Sequence, residues 1–152
     1  MNATPDHSLD AVQLLRDITR AGLYSADEDC ACSLYHAGPG TGFNVYRIDF
    51  GQAHDIESLH YVLSHSLHFP DWYGANWDAL TDCLTDMSWN EADGYLLILQ
   101  RTDTLQRAHP EAFSMLMQIL QETVQTWREQ GTPFWTLIIG ENIQLPHLEV
   151  RT

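Results

Sequence analysis

Three carboxylates, Asp78, Asp82 and Asp86, recur every four residues, a spacing that on an α-helix stacks them along one side. Carboxylates so placed can receive a cation supplied from elsewhere or, as a close pair, share proton-transfer work. Between Ile48 and Gln100 nine acidic residues stand without one arginine or lysine, so this part of the chain is a single anionic field. Like charges four residues apart cost an isolated helix about 0.2–0.5 kcal/mol per pair. Stability alone does not select such a ridge, and a cationic partner does. Beside it Phe69, Trp72, Tyr73, Trp77 and Trp89 gather aromatic side chains far above the 11% of the whole chain. Trp77 and Phe69 are assigned to the core, whereas Trp72 and Tyr73, in a loop marked by Pro70 and Gly74, are assigned to the surface. Exposed aromatics supply contact area that sheds water, and neighbouring carboxylates supply complementarity and on-rate, the combination a protein-binding face requires.

Other chemistries are weaker. Asp78 and Asp82 as a catalytic pair, in the manner of glycoside hydrolases, would need a cleft and a raised pKa that an exposed four-residue step does not provide. His54, His60, His65 and His68 are read as scattered surface histidines, since His60 and His65 are five apart and do not align on a helix. Cys30-Ala31-Cys32 with His36 is half of a zinc motif without its second half. Cys83 reads as a buried helix residue whose anionic surroundings raise its thiol pKa. No metal, cofactor or catalytic residue is therefore assigned, and the chain is not read as an enzyme.

All seven cations of the 152-residue chain are arginines against 21 acidic residues, a net charge of −14. That balance repels nucleic-acid phosphates and anionic lipid, and it favours a basic partner. With 44% hydrophobic residues the chain can build a core, yet its longest strongly apolar run, Tyr95 to Leu99, is far shorter than a membrane span. An odd count of three cysteines and a first segment without signal-peptide character point to the cytoplasm.

The elements that must hold the ridge follow from periodicity. Residues 8–20 read as an amphipathic helix behind a capping Ser8, with Leu9, Val12, Leu14, Leu15 and Ile18 on its face. Residues 26–37 read as a second short helix, closed by the glycine-rich stretch 38–42, which is expected to be a linker. Alternation makes 43–50 a strand, and 55–67 is a helix with Ile56, Leu59, Leu63 and Leu67 on one face. Asn76 is placed as the N-cap of the acidic helix, which runs to about residue 85 or 87. A buried strand at 95–100, a short helix, a long helix opened by Pro110, and a last strand at 134–139 complete the chain. Strands separated by helices imply parallel pairing.

The segment 69–86, with Tyr73-Gly74, Asn76 and the run Asp78-Ala79-Leu80-Thr81-Asp82-Cys83-Leu84 at its centre, resembles the barstar family of intracellular ribonuclease inhibitors. Ile56-Glu57-Ser58-Leu59-His60 and the later strands are also similar to that family, over about residues 43–140. The resemblance implies an α/β fold, a small three-stranded parallel sheet packed with helices. It divides the chain into an N-terminal helical extension at 1–40, a barstar-like domain at 41–141 and a polar tail at 142–152. It also implies that Asp82 enters the phosphate pocket of a basic ribonuclease, with Asp78 as the second interface aspartate. Trp72 stands where the family has a tyrosine, Thr81 where it has a tryptophan, and Thr85 keeps a threonine. Tyr73, Gly74, Asn76 and Ala79 fill the loop and helix-start contacts. Glu122 and Glu129 are the candidates for a further acidic contact on the long helix. The implied function is inhibition of that ribonuclease by substrate mimicry. The alternative is an immunity, antitoxin or regulatory protein that binds a different basic toxin or nuclease. Either requires the carboxyl group of Asp82 to face solvent.

Overall fold

A run as continuously apolar as Tyr95-Leu96-Leu97-Ile98-Leu99 is stable as a strand only where both faces of its sheet are covered. The computed structural model, which describes residues 7–140 and 144–148 and of residues 7–10 the backbone alone, meets that requirement. The helices are α1 (His7–Arg16), α2 (Glu28–Ala37), α3 (Ile56–Ser66), α4 (Trp77–Asp86), α5 (Asp103–Ala108) and α6 (Pro110–Glu129). The strands are β1 (Leu23–Ala26), β2 (Phe43–Asp49), β3 (Gly94–Gln100) and β4 (Phe134–Ile139), with short 3-10 turns at Pro39–Thr41 and Ser88–Asn90.

The sheet is wholly parallel, as the alternation of helix and strand implied, but it has four strands in the order β1-β4-β3-β2 rather than three. The additional strand is Leu23-Tyr24-Ser25-Ala26, which pairs Leu23 with Thr136 and Ala26 with Ile139. Four residues carry too little pattern to be read as a strand by themselves, and their pairing partner decides their state. The Ser8 and Leu9 side chains and the last residues of the tail lie outside the described residues.

From β1 the chain crosses the whole sheet to begin β2, then returns strand by strand through β3 and β4. Connections between parallel strands are right-handed in about 98% of cases, so crossings in opposite directions must run over opposite faces. Accordingly α1 and α2 cover one face, packing on Leu96, Ile98, Trp135 and Leu137. Helices α3 to α6 cover the other, packing on Tyr95, Leu97, Leu99 and Phe134. A buried tryptophan ties elements together on each face: Trp135 Nε1 of β4 donates to the Leu15 carbonyl of α1 at 3.0 Å, and Trp127 Nε1 of α6 donates to the Leu84 carbonyl of α4 at 2.8 Å.

The glycine-rich stretch expected to be a linker is instead a closed turn. Thr41 is buried with its hydroxyl on the Gly38 carbonyl, and Gly42 takes the left-handed backbone that returns the chain into β2. The outer edge of β1 is covered by the C-terminal segment: Ser25 N–H donates to the Pro146 carbonyl and Leu148 N–H to that of Ser25. Leu148 is buried there, so an edge that would otherwise template aggregation is occupied.

One polar group is left over in this core. Thr136, fully buried in a central strand, has an Oγ1 without a hydrogen-bond partner among the described residues. An unsatisfied buried hydroxyl costs about 1–3 kcal/mol, and valine has the same shape and β-branching. Thr136→Val should therefore raise the urea unfolding midpoint by an amount equivalent to about 1 kcal/mol or more, with an unchanged m-value.

Candidate protein-binding face

The ridge stands on a helix that its own sequence starts and stops. Asn76 takes the extended N-cap conformation and its side chain accepts from Ala79 N–H at 2.8 Å, while Asp78 occupies the first turn, where the helix dipole favours a carboxylate. Leu80, Cys83 and Leu84 face the core, and Met87 closes the helix in a left-handed conformation with its N–H on the Cys83 carbonyl. The opposite side carries Asp78, Asp82 and Asp86, all exposed. The carboxyl of Asp82 therefore faces solvent. The ion pairs of the described residues join Arg47 to Glu28, Arg101 to Asp49 and Arg107 to Asp103, and none reaches α4. Burial, followed by the charges of Asp82 and Asp86, pushes the Cys83 thiol up to about 11, which leaves it protonated and inert.

The other residues assigned to the face divide. Gly74 and Asn76 are exposed and Ala79 is half-buried. Thr81 and Thr85 are half-buried with their hydroxyls donated to the helix carbonyls of Trp77 and Thr81, at 3.1 and 2.8 Å. Trp72 is 61% exposed, its ring edge-on to Trp89 at 6.4 Å. Tyr73, expected at the surface, is half-buried: it packs on Phe69 at 4.9 Å between ring centroids and hydrogen-bonds Nδ1 of His60. Trp77, expected in the core, is only half-buried and lines a groove between α4 and α6. Asp78, Thr81 and Glu122 line the same groove, whereas Glu129 accepts from Gln125 at 3.4 Å elsewhere on α6.

The residue that sequence reading missed is His60. Expected at the surface, it is 2% exposed, lying between Tyr73 and the Trp77 ring, whose centroid is 4.9 Å away. Its position four after Ile56 and three before Leu63 placed it on the apolar face of α3, and that was the available signal. Ile56, assigned to the same face, is 47% exposed because it begins the helix and projects past the layer. His54, His65 and His68 are exposed. Burial alone holds His60 below the ordinary histidine range, and burial, followed by the nearby Cys83 thiol, drives Tyr73 above the ordinary tyrosine range. A protonated Tyr73 hydroxyl and a neutral imidazole thus share one hydrogen bond, and this bond fastens the aromatic loop to α3.

No group of three or more His, Cys, Asp or Glu among the described residues is arranged to hold a metal, and Cys30 and Cys32 are in no disulfide. No helix among them is long and apolar enough to cross a membrane. Groove, exposed ridge and anchored loop meet at the start of α4, around Asn76, Trp77 and Asp78. Residues 43–139 match the family described as Barstar (barnase inhibitor). The chain belongs to the barstar family. Within this barstar-family chain, 38 residues are 55% identical to the "Putative ribonuclease inhibitor YrdF" of Bacillus subtilis (strain 168), a match spanning 25% of this chain and 42% of that protein. The fold also resembles a chain in the structure of Drosophila ORC bound to DNA, at 11% identity and a TM-score of 0.58, covering 91% of this chain and 40% of that one. The Aeropyrum pernix ORC2 protein gives 12% identity and the same TM-score of 0.58 over 88% of this chain and 39% of its own. At those identities the likeness is one of parallel α/β layering alone.

His60 makes acid sensitivity a consequence of the loop anchor. A histidine whose folded pKa is depressed contributes stability that is complete above its unfolded value of about 6.5 and is lost as pH falls below it. Urea unfolding of the wild-type protein should therefore lose stability between pH 7 and pH 5 more steeply than that of His60→Gln. Parallel slopes would mean that His60 accepts its proton in the folded state.

Proposed function

We propose that this chain inhibits a basic ribonuclease by inserting α4 into the enzyme's active site, with Asp82 taking the place of a substrate phosphate. The observation that carries the reading is the exposed Asp82 carboxylate between Asp78 and Asp86, on a helix with no cationic partner among the described residues. A ribonuclease collects arginine, lysine and histidine to hold phosphates. A carboxylate held at that point by a rigid helix meets the same donors and blocks the substrate. Trp72 supplies exposed aromatic area beside the ridge, and the fastened loop that bears it lowers the entropy lost on docking. The family description and the printed name of the Bacillus subtilis relative support the same class of partner.

Calorimetric titration with a barnase-like ribonuclease tests the reading. Binding should be tight and should weaken steeply as salt is added, since charged surfaces attract over a Debye length of only about 8–10 Å. Asp82→Ala should weaken it by about 2–5 kcal/mol, the typical cost of leaving a desolvated partner charge unpaired. The same substitution should leave folding stability unchanged or raise it by a few tenths of a kcal/mol, roughly, because repulsion from Asp78 and Asp86 is relieved. An absence of heat at micromolar concentrations would remove this class of target.

A further inference from the structure

Among the described residues two large aliphatic side chains stand open to solvent: Ile56 at the start of α3, 47% exposed, and Met115 on α6, 37% exposed. Both line a cavity of about 200 Å³ that Trp77 bounds from the start of α4. Trp77 and Met115 also line the groove between α4 and α6, of about 480 Å³, where they are joined by Ile119. At these two shared residues the cavities adjoin, and together they make one depression. Its apolar surfaces come from Ile56, Trp77, Met115 and Ile119, and its walls carry the carboxylates of Glu111, Asp78 and Glu122.

We infer that this depression is a second docking site, for a segment of a basic protein that presents one large aliphatic or aromatic side chain flanked by arginine or lysine. Deepening the reading of the chain as a binder of a basic ribonuclease, and resting on it, the inference adds a contact region continuous with the acidic ridge through Asp78 and Thr81. Charge decides the occupant. Neither cavity is lined by an arginine, and the ion pairs of the described residues lie elsewhere. Three carboxylates thus stand against a single basic side chain in the lining, His109 at the smaller cavity, and the field is net negative. A second copy of this chain, with its net charge of −14 and no lysine, is repelled. Nucleic acid is repelled for the same reason.

A cationic segment satisfies both halves of the site at once. Its apolar side chain covers Trp77 and Met115, and the aliphatic stems of its arginines or lysines lie along the same surface while their charged ends reach Asp78 and Glu122. Removing water from the groove in turn strengthens those ion pairs, since the effective dielectric around them falls. The site thus rewards apolar and basic groups together more than either alone.

The test has two arms. In the first, a barnase-like ribonuclease is titrated into the wild type, into Asp82→Ala and into the double variant Ile56→Ala with Met115→Ala, whose urea midpoint is checked to be unchanged. Loss of tenfold or more in affinity in the double variant is the expected result. Binding that the double variant leaves intact while Asp82→Ala destroys it overturns the groove and keeps the inhibitor reading. In the second arm, the 15N-labelled protein is titrated with a hexapeptide of Leu-Trp between arginine pairs, and with the same peptide carrying Gly-Gly at its centre. Shifts at the Trp77 indole, Ile56 and Met115 with the first peptide alone uphold the groove, even where the ribonuclease does not bind and the inhibitor reading falls. Equal shifts with both peptides, or shifts confined to the exposed side of α4, overturn it.

Discussion

The structure depends on α4 having two incompatible sides and being held by the stronger one. Three aspartates along its exposed side repel one another by about 0.2–0.5 kcal/mol per pair. On its inner side Leu80 and Leu84 are fully buried, each contributing about 1.5–3 kcal/mol, and Trp127 of α6 donates a buried hydrogen bond to the Leu84 carbonyl. Burial exceeds repulsion several-fold. The helix can therefore carry an uncompensated row of charge that a free peptide of the same sequence would resist, and that charge remains available to another molecule.

The loop before α4 follows the same principle of a concealed anchor beneath an exposed contact. Phe69, Tyr73 and Trp89 pack inward, and the Tyr73 hydroxyl is bonded to His60, which leaves Trp72 as the ring presented to solvent. An aromatic held in this way loses little conformational freedom when it is covered. The anchor relies on a neutral imidazole in a largely apolar pocket, so the rigidity of the loop and the protonation of one buried histidine are linked.

The described residues that precede β2 have a structural reason that lies in the sheet. Strands β2, β3 and β4 carry apolar side chains on both faces, and Leu96, Ile98, Trp135 and Leu137 need a cover that α3 to α6, all on the opposite face, cannot provide. Helices α1 and α2 provide it, with Trp135 bonded to the Leu15 carbonyl, and β1 extends the sheet beyond β4. The family match begins at residue 43, yet the packed unit begins before it.

Local chemistry written in consecutive residues was legible without coordinates. The Asn76 cap, the four-residue aspartate step, the Pro110 helix start and the five-residue apolar run determined α4, α6 and the central strand, because caps, periodicity and missing N–H groups act over a few positions. Parallel pairing followed from the order of elements. What only the tertiary structure decided concerns groups whose state is set by distant partners. Leu23 to Ala26 became a strand because β4 offered an edge, and His60 went inside because Tyr73 and Trp77 closed over it. Trp77 came to line a groove because the fold set α6, with Met115 and Ile119, across from it. A short segment or a single side chain carries no periodicity of its own, so its environment is chosen by whatever the fold brings against it.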